Sequence, residues 1–186
     1  MKYVLISALF LTLFIGGCAT QDKYEGMSQI DKIIAQNEDL KQQSVEQMWT
    51  SRQIPFVMFE FDSTKIPTDY YETLDKVGEI LTNKKIKLSV EGNADMVSSN
   101  KYNDWLSNKR TAAIKSYLVS KGVHPDSIQT YGNGKRKPLV NYNTVEARQL
   151  NRRVDLSFSK RHWNSVFWIV ASFHFAQNDS EFEDNK

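Results

Sequence analysis

Apolar and polar positions recur along this chain with two different periods, and the changes of period mark its elements. After a continuous apolar run from Tyr3 to Ile15, residues 19–50 turn polar and rich in Gln, Asp, Glu and Lys. Within them Met27, Ile30, Ile33, Ile34, Leu40, Val45 and Met48 return mostly every three or four residues, the spacing of one helix face. Asn37 and Ser44 break that seam, which leaves fewer than four clean heptads and argues against a strong coiled coil. The segment reads as a partly helical tether, with self-association as the lesser alternative.

A folded domain is expected over residues 51–160. Phe56-Val57-Met58-Phe59-Glu60-Phe61 has the aromatic and β-branched character of a buried strand, and Asp62-Ser63 ends it. Tyr71, Leu74, Val77, Ile80 and Leu81 keep helical spacing, so a helix is expected from about Thr68 to Thr82. Ile86 to Glu91 alternates with period two, and Gly92 closes that strand. Tyr102, Trp105, Leu106, Ala113, Ile114, Tyr117 and Leu118 mark a second helix that stops at Lys121-Gly122. Ile128 to Tyr131 reads as a third strand running into a Gly132-Asn133-Gly134 turn. Asn143 and Glu146 suggest a capping box for a short helix before a last strand, Arg153 to Phe158. The alternation predicts an α+β fold, βαβαββ, in which helices cover one face of a mixed four-stranded sheet.

The remaining tail, residues 161–186, holds an apolar run from Val166 to Phe175 that is too short to span a bilayer. Three roles fit it: an added strand, packing on the domain, or a partner contact.

Composition narrows the function. A net charge of +2 in 186 residues, with 25% charged and 40% hydrophobic, is that of a globular protein without a concentrated basic face, so no nucleic acid is expected. One cysteine, Cys18, excludes an internal disulfide framework and a thiolate cluster. Residues 1–17 have the charged start, apolar middle and small-residue end of an export signal. The apolar run is also shorter than the about 20 residues a transmembrane helix needs.

Ile15-Gly16-Gly17-Cys18 resembles the bacterial lipobox, which implies a diacylglycerol on Cys18 and cleavage before it; the alternative is an ordinary signal peptide containing a cysteine. Acyl chains contribute about 0.8 kcal/mol per buried CH₂, so several of them hold a protein on its membrane essentially permanently. In lipoprotein families an aspartate after the cysteine retains the protein at the inner membrane, and Ala19 there implies the outer membrane, with palmitate among the attached chains. The domain plan is then a signal peptide over 1–17, a lipid-anchored tether over 18–50, the domain over 51–160 and the tail.

Chemistry-bearing motifs are few. His124, His162 and His174 show neither zinc-protease spacing nor a nucleophile partner, and the Gly132-Asn133-Gly134 turn lacks the rest of a dinucleotide or phosphate-loop motif. No metal and no cofactor are expected. Asp62 and Asp95 both follow predicted strands, which admits acid-base work or loop capping. Asp95 and Arg110 form the informative pair. Fifteen residues apart, they can meet around a zwitterion, aspartate taking the ammonium and arginine gripping the carboxylate, or can form a plain ion pair at the sheet edge.

Phe59-Glu60-Phe61-Asp62-Ser63, Leu74-Asp75, Val90 to Asp95, Tyr102-Asn103, Leu106-Ser107, Arg110, Tyr117-Leu118, Gly122-Val123, Tyr131-Gly132, Gly134, Pro138, Thr144, Arg148 and Asn151-Arg152-Arg153-Val154 follow one another in the order of a known domain. By them the stretch from Phe59 to about Phe158 resembles the OmpA C-terminal-like domain, shared by outer-membrane protein A, peptidoglycan-associated lipoprotein and flagellar stator proteins. The resemblance implies that Asp95 and Arg110 bind the diaminopimelate of the peptidoglycan stem peptide, with Phe61, Asp62, Asn103 and Leu106 around it. Simple core packing stays open for Phe61 and Leu106. Asn151-Arg152-Arg153 is read as structural and left outside the site. Gly92-Asn93-Ala94-Asp95 stands where the family has Gly-His-Thr-Asp, and Ser98 where it has a glycine.

The expectation is a non-catalytic lipoprotein of the outer membrane that holds the cell wall and supports envelope integrity from the periplasm. The alternative is an interaction module for envelope proteins, as peptidoglycan-associated lipoproteins serve the Tol system, or a secretion or stator anchor.

Overall fold

The computed structural model describes residues 24 and 26–159. Residues 1–17, where an export signal is expected, Cys18 and the tail with its apolar run lie outside the described residues. The first helix, α1, spans Gln29–Lys41 and starts at Ser28, whose hydroxyl accepts from the Asp31 amide at 3.2 Å. The second, α2, spans Val45–Ser51. Ser44 is its N-cap in a reciprocal box with Gln47, and Arg52 ends it in the left-handed region at φ 60°. Ser44 thus breaks the apolar seam because a new helix begins there.

Asn37, the other interruption, is 1% exposed. Its side-chain amide donates to the Phe56 carbonyl at 3.1 Å and its side-chain oxygen accepts from the Phe56 amide at 2.8 Å. One side chain thereby satisfies both backbone groups of an edge residue, as a neighbouring strand would. Asn37→Ala is expected to cost about 1–2 kcal/mol and to speed hydrogen exchange at the Phe56 amide. An unchanged exchange rate there would show that α1 does not protect the edge.

Strands β1 (Val57–Met58), β2 (Leu88–Gly92), β3 (Ile128–Gly132) and β4 (Arg153–Phe158) form one mixed sheet in the order β1-β4-β2-β3. β4 runs antiparallel to both β1 and β2, while β2 and β3 are parallel. The parallel pair needs a crossover, supplied by α4 (Asn100–Ser120). Helix α3 (Tyr71–Lys84) follows a 3-10 turn at Thr68–Tyr70, and α5 (Val145–Asn151) precedes β4. The α+β class and the mixed four-stranded sheet are as the sequence predicts.

Alternate strand positions divide two apolar clusters. Val57, Phe59, Leu88, Val90, Val154 and Leu156 face α3 and α4, with Leu74, Val77, Ile80, Ile114 and Leu118 opposite them. Met48 of α2 joins this core at 0% exposure, so the packed unit reaches back into the segment read as a tether. Phe56 instead meets Ile30, Ile33 and Ile34 of α1 and Val140, Ala147 and Leu150 around α5, and Met58 touches both clusters.

Two details differ from the sequence reading. The N-cap of α5 is Thr144, accepting from the Ala147 amide at 3.2 Å, because Asn143 is engaged by Arg148 at 3.0 Å. The first strand pairs over Val57–Met58 alone, and beyond it the Phe59 amide donates to the Arg152 carbonyl at 2.8 Å.

Gly92 sets the spacing that the site depends on. A Cβ there would fall on the Ser107 carbonyl oxygen, so the end of β2 and the middle of α4 meet backbone to backbone. Gly134, at φ 55°, accepts from the Ala94 amide at 2.7 Å and donates to the Ser107 hydroxyl at 3.0 Å, tying the turn after β3 to both.

Candidate functional site

At the C-terminal end of β2, four segments enclose a cavity of about 130 Å³: the loop after β1, the loop from Ala94 to Ser98, the first half of α4 and Arg152 just before β4. Phe61, Asp62, Asp95, Asn103, Leu106 and Arg110, the six residues singled out from the sequence, all line it. Phe61 stands on the rim at 65% exposure, whereas Leu106 is buried. Asp62 has φ 55°, a conformation that turns the chain at the mouth, and its carboxylate accepts from the Tyr102 phenol. That bond holds the phenol proton and raises the Tyr102 pKa.

Arg110 is 0% exposed. Its Nε donates to the Ser63 carbonyl at 2.9 Å, one terminal nitrogen to the Asn93 carbonyl at 3.3 Å and the other to the Glu60 carbonyl at 3.1 Å. The guanidinium lies 5.1 Å from the Phe59 ring centre. Three of its five N–H donors therefore fasten the β1 loop to the end of β2, which leaves two. Burial and the neighbouring Arg152 push its pKa down to about 10, against the pull of Asp95 and Asp62. It still carries its charge near neutral pH.

The plain Asp95–Arg110 ion pair is not the arrangement found. Asp95 pairs instead with Arg152, at 3.1 Å with both side chains largely buried. Its other oxygen accepts from the Val97 amide at 3.1 Å, so the carboxylate is oriented without a hydroxyl at Ala94. Arg152 also donates to the Phe59 carbonyl at 3.3 Å. Arg152, read from the sequence as structural and left outside the site, lines the cavity with Asp95 and Arg110. The signal was in the topology, because β4 pairs antiparallel with β2 and Gly92 stands opposite Val154, so the head of β4 lies beside the end of β2.

Its neighbours Asn151 and Arg153 are structural. Asn151 bonds the backbone of Leu139 and Val140, and Arg153 holds Asp155 at 2.8 Å. Asn103 is a positioning residue: its amide donates to the carbonyls of Asp95 and Ser98 at 3.1 and 3.2 Å and holds the loop that carries the carboxylate. Tyr102 and Val97 complete the apolar side of the mouth.

Two carboxylates and two guanidiniums thus face one small cavity with an apolar rim. Such a site suits a ligand bearing an ammonium and a carboxylate close together. Among the described residues no group of three or more His, Cys, Asp or Glu is placed to hold a metal.

Residues 58–152, just over half of the chain, match the OmpA family. The chain belongs to the OmpA family. Outer membrane protein A from Bordetella avium is 36% identical over 99 residues, and this OmpA-family chain spans 51% of that protein's length with 53% of its own. A peptidoglycan-associated lipoprotein from Rhizobium meliloti is 29% identical over 147 residues, 78% of this chain and 82% of the relative. The crystal structure of the peptidoglycan-associated lipoprotein from Burkholderia pseudomallei matches with a TM-score of 0.55 and 28% identity, over 56% of this chain and 89% of that one.

Proposed function

We propose that this chain is a non-catalytic envelope protein that binds peptidoglycan through the side-chain end of meso-diaminopimelate and is anchored to the outer membrane by lipid on Cys18. The observation that carries the reading is the convergence of Asp62, Asp95, Arg110 and Arg152 on one cavity. That end of the diamino acid bears an ammonium and a carboxylate on one carbon. The aspartates meet the ammonium, and the two guanidiniums, one held rigid by three carbonyls, meet the carboxylate. Relatives named as peptidoglycan-associated lipoproteins support the same reading. The anchor at Cys18 is supported by the Ile15-Gly16-Gly17-Cys18 pattern.

Co-sedimentation with isolated peptidoglycan tests the pocket. The soluble chain from residue 19 onward is expected to pellet with the wall, and Asp62→Asn and Asp95→Asn each to weaken binding by about tenfold or more. Asp62 is the cleaner probe, since its carboxylate is exposed and bonds Tyr102. Free meso-diaminopimelate should compete. A wild-type chain that stays in the supernatant would remove the reading. Labelled palmitate should enter the wild type and not Cys18→Ala; label in the variant would place the lipid elsewhere.

A further inference from the structure

We propose a second subsite beside the cavity: the ring pair of Tyr102 and Trp105 on α4 takes the face of a sugar ring from the glycan strand that bears the stem peptide. The inference rests on the wall-binding reading and extends it from the diamino acid to the saccharide. Tyr102 belongs to both places. It lines the cavity and donates to Asp62, and its ring lies 5.6 Å from that of Trp105 at an interplanar angle of 35°.

Trp105 itself is outside the cavity and 50% exposed, so the pair forms a shallow, open surface and not a slot. A sugar ring offers one face of C–H groups to such a surface, with hydroxyls at its edge for water or polar side chains. Lys101 and Lys109 flank Trp105 at four residues before and after it, the spacing of one helix stripe. Both are exposed, and neither has an ion-pair partner among the described residues. Their charge complements the free carboxylates of stem peptides on the same strand.

The geometry is continuous. Two amino acids separate the diamino acid from the sugar, a reach of roughly 10 Å. A ligand whose third residue enters the cavity leaves it across the rim of Phe61, Val97 and Tyr102. From Tyr102 the next aromatic surface is Trp105.

The test uses the purified full-length chain in detergent and two ligands, the free tripeptide ending in meso-diaminopimelate and the same tripeptide carried on its disaccharide, with affinities read by titration calorimetry. The wild type is expected to bind the disaccharide form about tenfold more tightly. Trp105→Ala should erase that advantage while leaving the free tripeptide within about twofold, and Trp105→Phe should keep most of it. Equal affinities in the wild type, or a Trp105→Ala loss shared by both ligands, would overturn the subsite. Binding of the disaccharide form without the tripeptide would keep the ring pair and remove the diamino-acid pocket; binding of neither would remove both.

Discussion

Arg110→Ala is expected to cost about 3–5 kcal/mol of folding stability, far more than a ligand-contacting surface residue would. The wild-type guanidinium has no exposed surface and holds three backbone carbonyls, those of Glu60, Asn93 and Ser63. Removing it strands these acceptors and opens a void beside Phe59, and each buried polar group left without a partner costs about 1–3 kcal/mol. Arg110→Lys restores the charge, yet one ammonium cannot reproduce a planar fork, so its urea midpoint should fall between those of alanine and the wild type. A midpoint for alanine equal to that of the wild type would show that the three carbonyls find water without penalty. Loss of wall binding in this variant has to be judged on its folded fraction, which is why Asp62 and Asp95 are the better probes of recognition.

Met48→Ala should lower stability by about 2–5 kcal/mol, the range for deleting a fully buried large side chain. A residue on a passive tether would give almost nothing. Met48 is 0% exposed and shares one core with Leu74, Val77 and the inner face of the sheet. Urea unfolding should remain a single transition with an unchanged slope, since α2 and the sheet would lose the same cooperative core. A separate early transition would mark α1 and α2 as an independently melting pair.

Period alone was enough for the central elements. Val77, Ile80 and Leu81 on α3, and Leu88 and Val90 on β2, carry their burial in their spacing, because each faces a single large core. The six candidate residues, picked out by their order along the chain, line one cavity. What spacing could not show was partner choice. Asp95 and Arg110 were paired on proximity, yet the structure gives Arg110 to carbonyls and Asp95 to Arg152, a residue 57 positions away that only the register of β4 brings near. Asn37 was hidden for a similar reason. A polar residue on an apolar stripe looks like an interruption until the unpaired edge it serves is known.

With the lipid anchor proposed at Cys18, that same clamp sets how far the domain can stand from its membrane. An extended chain advances at most about 3.6 Å per residue, so the 11 residues from Cys18 to Gln29 bridge no more than about 40 Å. With α1 undocked and unwound while α2 stays packed through Met48, the 27 residues from Cys18 to Val45 could bridge about 100 Å. The paired hydrogen bonds between Asn37 and Phe56, one given and one accepted, with three isoleucines behind them, therefore decide between a short leash and a longer one.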